Sequence, residues 1–149
     1  MAERTEILLN IDVDDLEKAV AFYERALGLR ESRRLFDGSV AEMLGGSSPI
    51  YLLAKAAGSS AAPGTAARRH YARHWTPVHL DFVVEGIALA LERAVSAGAK
   101  IEQSVNTFRW GKLAVLSDPF GHGFCLIEFA DKETRYDAVN SPTRDRPLP

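Results

Sequence analysis

The chain has 149 residues, 46% of them apolar and 26% charged, which suits one domain, or two small units sharing a core, and excludes extended disorder. Lys plus Arg number 18 against 20 for Asp plus Glu, a net charge of −2 that excludes a broad basic face for nucleic acid. The lone cysteine, Cys125, excludes an internal disulfide framework and any CxxC zinc module.

The N-terminal stretch Met1–Glu6 is charged and carries no apolar signal core, and no apolar run approaches the ~20 residues that cross a bilayer. The expected setting is therefore cytoplasmic, without membrane attachment.

In chain order, residues 7–16 read Ile-Leu-Leu-Asn-Ile-Asp-Val-Asp-Asp-Leu, an alternating strand that runs into a helix. Leu16, Ala19, Val20, Tyr23 and Leu27 then fall on one helical stripe. Asp14 and Asp15 stand where free amides and the helix dipole favour carboxylates, and Gly28 stands where a left-handed C-cap is needed. Strand-like runs follow at 29–36, 40–44 and 50–54, broken by Asp37-Gly38 and Gly45-Gly46.

The pattern then repeats. Residues 78–87 read Val-His-Leu-Asp-Phe-Val-Val-Glu-Gly-Ile, and aligning Val13 with Val84 pairs Asn10 with Asp81 and Leu16 with Ile87. Ile87, Leu91, Ala94 and Val95 form the second helical stripe, which ends at Gly98. Strands are predicted at 100–108, 112–116 and 123–129, with turns near Trp110-Gly111 and Asp118-Pro119-Phe120-Gly121. Each half is strand–helix–strand–strand–strand: module one over 5–56 and module two over 76–130, together one domain over 5–130.

The inter-module segment 57–75 begins rich in Ala, Gly and Ser, which predicts a mobile loop. It ends in Arg68-Arg69-His70-Tyr71-Ala72-Arg73-His74-Trp75, either a lid for an anionic or aromatic ligand or a solvated loop or helix packing against a second subunit. Residues 131–149 have little apolar content and three prolines, and predict a loose, surface-draped tail.

Val13-Asp14-Asp15-Leu16-Glu17, Ala21-Phe22-Tyr23 and Leu27-Gly28-Leu29 in the first half carry a family resemblance. So do Val78-His79-Leu80-Asp81-Phe82-Val83-Val84, Trp110-Gly111 and Asp118-Pro119-Phe120-Gly121-His122 in the second. From Ile7 to Phe129 the chain resembles the vicinal oxygen chelate superfamily, which includes glyoxalase I, bleomycin-resistance proteins, fosfomycin-resistance enzymes and extradiol dioxygenases. The likeness is to the glyoxalase-like or bleomycin-resistance-like branch. It implies an α+β fold: two tandem βαβββ modules, a cupped mixed eight-stranded sheet, helices outside and ligand in the cup. It also implies a homodimer.

Metal-dependent members place His or Glu ligands on equivalent strands. Carried onto this sequence, the strand-one position is Leu8, the strand-five position is His79 and the strand-eight position is Cys125. The strand-four position falls within Ile50-Tyr51-Leu52. A divalent centre normally needs three protein ligands, so no metal and no cofactor is expected; His79 and Cys125 would serve only in an unusual site.

Strand alternation offers Asn10, Asp12, His79 and Asp81 to the cup. The expected ligand-binding residues are Asn10, Tyr51, His79, Asp81, Arg109, Trp110 and Cys125. His79 and Asp81 are the candidates for acid–base chemistry, because imidazole titrates near neutrality and Asp81 shares its face. Each has a plainer reading: His79 hydrogen-bonded in the sheet, Asp81 ion-paired with Arg109, Cys125 a small buried hydrophobe, Trp110 packing its turn.

The reading favoured is a protein that binds a small organic molecule without a metal. The alternative is a lyase, isomerase or dioxygenase-type enzyme using His79 with an unusual metal or metal-free acid–base chemistry. A regulatory dimer with a vestigial cup is the third.

Overall fold

A computed structural model describes residues 3–140. The elements run β1 (Leu9–Val13), α1 (Leu16–Leu27), β2 (Arg30–Leu35), β3 (Val40–Leu44), β4 (Ile50–Ala54), β5 (Leu80–Val83), α2 (Ile87–Ala97), β6 (Lys100–Phe108), β7 (Gly111–Ser117) and β8 (Gly123–Phe129). The tandem βαβββ reading holds. The strands hydrogen-bond as two four-stranded mixed sheets, β1-β4-β3-β2 and β5-β8-β7-β6. The chain divides into two compact units between Ala72 and Arg73. No helix among the described residues is long and apolar enough to cross a membrane.

In the first unit, Asp15 caps α1 by accepting from the Lys18 amide at 3.1 Å. Gly28 ends the helix at φ 68°, a left-handed geometry that costs a Cβ-bearing residue energy. α1 turns Ala19, Val20, Phe22, Tyr23 and Ala26 inward against Val13, Met43 and Leu52, which are fully buried. β1 lies parallel to β4 with Asn10 opposite Tyr51, and β4 lies antiparallel to β3 with Tyr51 opposite Glu42.

The Ala/Gly/Ser-rich segment, expected to be mobile, is tied down by hydrogen bonds. Gly58 donates to the Arg69 carbonyl, the Arg69 amide donates to Ser59, and Ser60 bridges Arg68. The Arg69 guanidinium reaches Asp12 on β1 at 2.7 Å, and the Tyr71 hydroxyl donates to the Lys55 carbonyl.

In the second unit, α2 carries Ile87, Ala90 and Ala94 onto β7 and β8. β5 is parallel to β8, with Asp81 opposite Cys125 and Phe82 opposite Leu126. The Asp118–His122 turn is held by the Asp118 carboxylate, which accepts from the Phe120 amide at 2.8 Å and the His122 amide at 2.9 Å. Asp118 is buried, so its satisfied oxygens are what make the turn tolerable there.

Residues 131–140 continue as a turn and a short 3-10 helix, Asp137–Asn140. The Tyr136 ring packs edge-on to Phe129 with centroids 4.9 Å apart and lies 5.1 Å from Trp110. The remainder of the expected tail, 141–149, lies outside the described residues.

Candidate functional site

The second module builds the most chemically equipped surface. Alternation through His79 and β5 leaves Leu80 and Phe82 half-buried on one face and His79 and Asp81 exposed on the other. His79 and Asp81, two residues apart on that face, meet through Nε2 and Oδ1 at 3.1 Å. Parallel pairing then brings Cys125 of β8 beside Asp81. One donor atom from each of His79, Asp81 and Cys125 lies within 4.8 Å of the others.

Cys125 is buried, with only 7% of its surface exposed. Burial, followed by the neighbouring Asp81 carboxylate, pushes its thiol up to about 12. An anion thus sits beside the sulfur where thiolate activation needs a cation.

Beside this trio is a cavity of about 240 Å³ within the second unit. Arg73, Trp75 and Thr76 frame it from the segment before β5, with His79 at its rim. Its floor is Val115 of β7 with Gly123, Phe124 and Cys125 of β8. Arg73 is anchored: it donates to Glu102 at 2.5 and 3.0 Å and to the carbonyl of Gly121. That pairing holds the Glu102 carboxyl below its ordinary range, against the opposing effect of its partial burial. His74 stacks edge-on to His122, with ring centroids 5.4 Å apart.

The Arg68–Trp75 cluster therefore splits in its roles. Arg69 and Tyr71 tether the first unit, while Arg73 and Trp75 border the cavity of the second.

Of the seven residues expected to bind ligand, His79 and Cys125 line this cavity, and Asp81 touches both the ring of one and the strand of the other. Arg109 is exposed in the β6–β7 turn. Trp110 stacks on Phe108, with centroids 5.0 Å apart and planes 5° from parallel. Asn10 and Tyr51 belong to the first module. There the Tyr51 hydroxyl donates to Glu42 at 3.0 Å, and Arg33 grips the same carboxylate at 2.9 and 3.2 Å. Leu8 is exposed at the lip of a separate surface recess with Ser47, Ser48 and Pro49.

Sequence reading did not single out Val115, Gly123, Glu102 or Tyr136. Val115 and Gly123 resemble ordinary sheet residues, and only the strand register sets them beside Cys125. Arg73 was visible only as one arginine of a cluster.

The metal positions that the resemblance gives are here Leu8, His79, Cys125 and one within Ile50-Tyr51-Leu52. A leucine cannot ligate, and the Tyr51 hydroxyl is engaged by Glu42, so these positions do not fit the family's metal centre.

Comparison with known proteins agrees with the fold. The family model for the glyoxalase-like domain matches residues 8–127, and the chain belongs to that family, within the vicinal oxygen chelate superfamily. No protein of curated function matches it in sequence. Among solved structures, it is similar to the fosfomycin resistance protein FosX of Listeria monocytogenes, with TM-score 0.65 and 18% identity over 89% of this chain and 96% of that one. It is similar to TioX from Micromonospora sp. ML1, with TM-score 0.63 and 18% identity over 85% of this chain and 99% of that one. It also resembles a glyoxalase/bleomycin resistance protein/dioxygenase family enzyme from Burkholderia phytofirmans, with TM-score 0.61 and 18% identity over 82% and 96% of the two chains. At such identity the likeness speaks for the fold alone.

Proposed function

We propose that the chain binds a small organic molecule in the second-module cavity and does so without its family's four-position metal centre. The observation that carries this reading is the cavity's lining. Val115, Phe124 and Trp75 supply an apolar wall, while Arg73 and His79 supply hydrogen-bond donors at its edge. A few polar groups set around an apolar hollow is the usual make-up of a small-molecule site. At about 240 Å³ the hollow suits a ligand of one ring or a short chain bearing a carbonyl or carboxylate. By its resemblance to bleomycin-resistance proteins, the chain acts by holding this molecule, as a homodimer in the cytoplasm.

The test is a thermal-shift and calorimetric screen of small aromatic and carbonyl compounds against wild type and Val115→Trp, which fills the cavity. Ligands that stabilise wild type and lose at least tenfold in affinity in Val115→Trp are expected. A screen without hits, or hits indifferent to that substitution, would overturn the reading. Light scattering on the eluting protein tests the dimer.

A second reading has its own observation, the 3.1 Å contact between His79 and Asp81. With Nε2 donating to the carboxylate, the neutral ring keeps Nδ1 as a proton acceptor, the arrangement of an oriented general base. On this reading, His79→Ala abolishes turnover of a bound compound while the fold persists.

A further inference from the structure

We propose that Arg73 sets the specificity of the second-module cavity: it takes a neutral aromatic ring laid on the guanidinium plane and turns carboxylates away. This rests on the binding reading above and narrows its ligand class.

A guanidinium carries five N–H groups in one plane, and a carboxylate is gripped by two of them side by side. In Arg73 that fork is already taken. Nε donates to Glu102 at 2.5 Å and Nη2 donates to the same carboxylate at 3.0 Å. Nη1 donates to the carbonyls of His74 and Gly121. Among the described residues these four bonds leave one N–H over, enough for a single ligand oxygen but not for the paired oxygens of a carboxylate.

Charge points the same way. Glu102 cancels the Arg73 cation, and Asp81 places another carboxylate beside Cys125, which lines the cavity. His79 at the rim is itself paired with Asp81. A ligand anion meets no net positive field here, so nothing offsets the water it would give up.

What Arg73 still offers is its plane. The guanidinium settles against Gly123 of β8, where a Cβ would stand 2.5 Å from Nη2 and 3.0 Å from Cζ. With its edge bonded and one side against the strand, the Arg73 side chain is still 37% exposed, and it lines the cavity. The face turned from the strand is therefore what a ligand meets. A planar, weakly hydrated cation stacks well on an aromatic ring. Trp75, Val115 and Phe124 complete an apolar surround, and a hollow of about 240 Å³ has room for one ring.

The experiment titrates indole, benzoate and propionate by calorimetry at neutral pH into the full chain, Val115→Trp, Arg73→Lys and Glu102→Gln. The Arg73–Glu102 pair is partly exposed, so its variants keep the fold testable. Wild type should bind indole at least about fivefold more tightly than benzoate, with propionate weaker still. Arg73→Lys keeps the charge and loses the plane, and should weaken indole by at least about threefold. Glu102→Gln removes the competing carboxylate, and should strengthen benzoate by at least about threefold while indole changes little. In nuclear magnetic resonance spectra the Arg73 Nε–H proton, identified by its loss in Arg73→Lys, should move upfield as indole lies over it. Benzoate or propionate binding wild type as tightly as indole overturns this inference and leaves the binding reading standing. So does an indole affinity unchanged in Arg73→Lys, or an Nε–H resonance that bound indole leaves in place. If none of the three binds in a manner that Val115→Trp abolishes, the inference fails, and the wider screen above decides whether the binding reading falls with it.

Discussion

Tyr51 stands in the first module where Cys125 stands in the second. Asn10 faces Tyr51 across the β1–β4 pair, just as Asp81 faces Cys125 across β5–β8. Continued across the sheets, register gives the row Asn10, Tyr51, Glu42, Arg33 in one module and Asp81, Cys125, Val115, Gln103 in the other. The first row closes on itself, because Glu42 is satisfied by both Arg33 and Tyr51. The second sets Cys125 and Val115 against a cavity. A duplicated frame has thus diverged in chemistry along one line of side chains.

The first row predicts an acid-sensitive contribution to stability. The hydrogen bond from Arg33, then that from Tyr51, holds the Glu42 carboxyl below its ordinary value of 4.5, against the opposing effect of burial. A carboxyl depressed on folding contributes its stabilisation fully above that ordinary value and loses it as pH falls through the depressed one. Wild type should therefore melt higher than Glu42→Gln at neutral pH, with the gap closing below pH 4.5. Melting curves of both proteins from neutral to strongly acid pH check this. A gap independent of pH would show that Glu42 acts by shape alone.

The second row predicts a quiet thiol. With Cys125 pushed up to about 12 by burial and by Asp81, the thiolate is scarce at neutral pH. Metal-free native protein should resist iodoacetamide at pH 7.5 and react on unfolding. Asp81→Asn removes the nearest anion and should speed the native reaction. Rapid native alkylation in wild type would mean that the strand opens or that the field at sulfur is positive.

Much of the frame was legible because it rests on local chemistry. Asp15 and Gly28 mark the ends of α1 by capping rules that need no tertiary information, and their counterparts Gly86 and Gly98 recur in the second half. The alternation around Asn10 and Asp81 told which face each side chain takes. What sequence could not supply was register. Asp81 read as an orienting or ion-paired residue, and only the parallel pairing of β5 with β8 made it a neighbour of Cys125. Glu42 left a faint signal, a carboxylate between the apolar Ala41 and Met43, but its partner Arg33 lies on another strand. Tyr136 was hidden by the polar composition around it, since one ring is enough to dock a segment that has no apolar stripe.

Gly123 is predicted to act through Arg73. A Cβ at Gly123 would lie 2.5 Å from Arg73 Nη2 and 3.0 Å from its Cζ. The guanidinium is the movable partner, so Gly123→Ala should lift it from Glu102 without breaking the sheet. The lost ion pair is partly exposed, and the expected cost in stability is below about 1 kcal/mol. Any ligand held through Arg73 should lose affinity more than the fold loses stability. Paired melting and binding measurements separate the two; a large drop in melting temperature with intact binding would place Arg73 in the fold alone.

Tyr136 should hold the segment 131–140 to the second sheet. Its ring meets both Trp110 and Phe129, and Arg135 lies over the Phe129 ring at 5.6 Å. Aromatic pairs of this kind contribute about 0.5–1.5 kcal/mol each beyond their buried area. Tyr136→Ala should therefore lower stability by roughly 1–2 kcal/mol, while Tyr136→Phe, which keeps the ring, should change it little. Burial, then the Asp81 carboxylate, raises the Tyr136 hydroxyl above its ordinary value. In a Trp75→Phe background, which leaves Trp110 as the remaining tryptophan, Tyr136→Ala should shift the emission to the red as Trp110 becomes wetter. An unshifted spectrum with unchanged stability would mean that the ring contacts Trp110 without holding the segment in place.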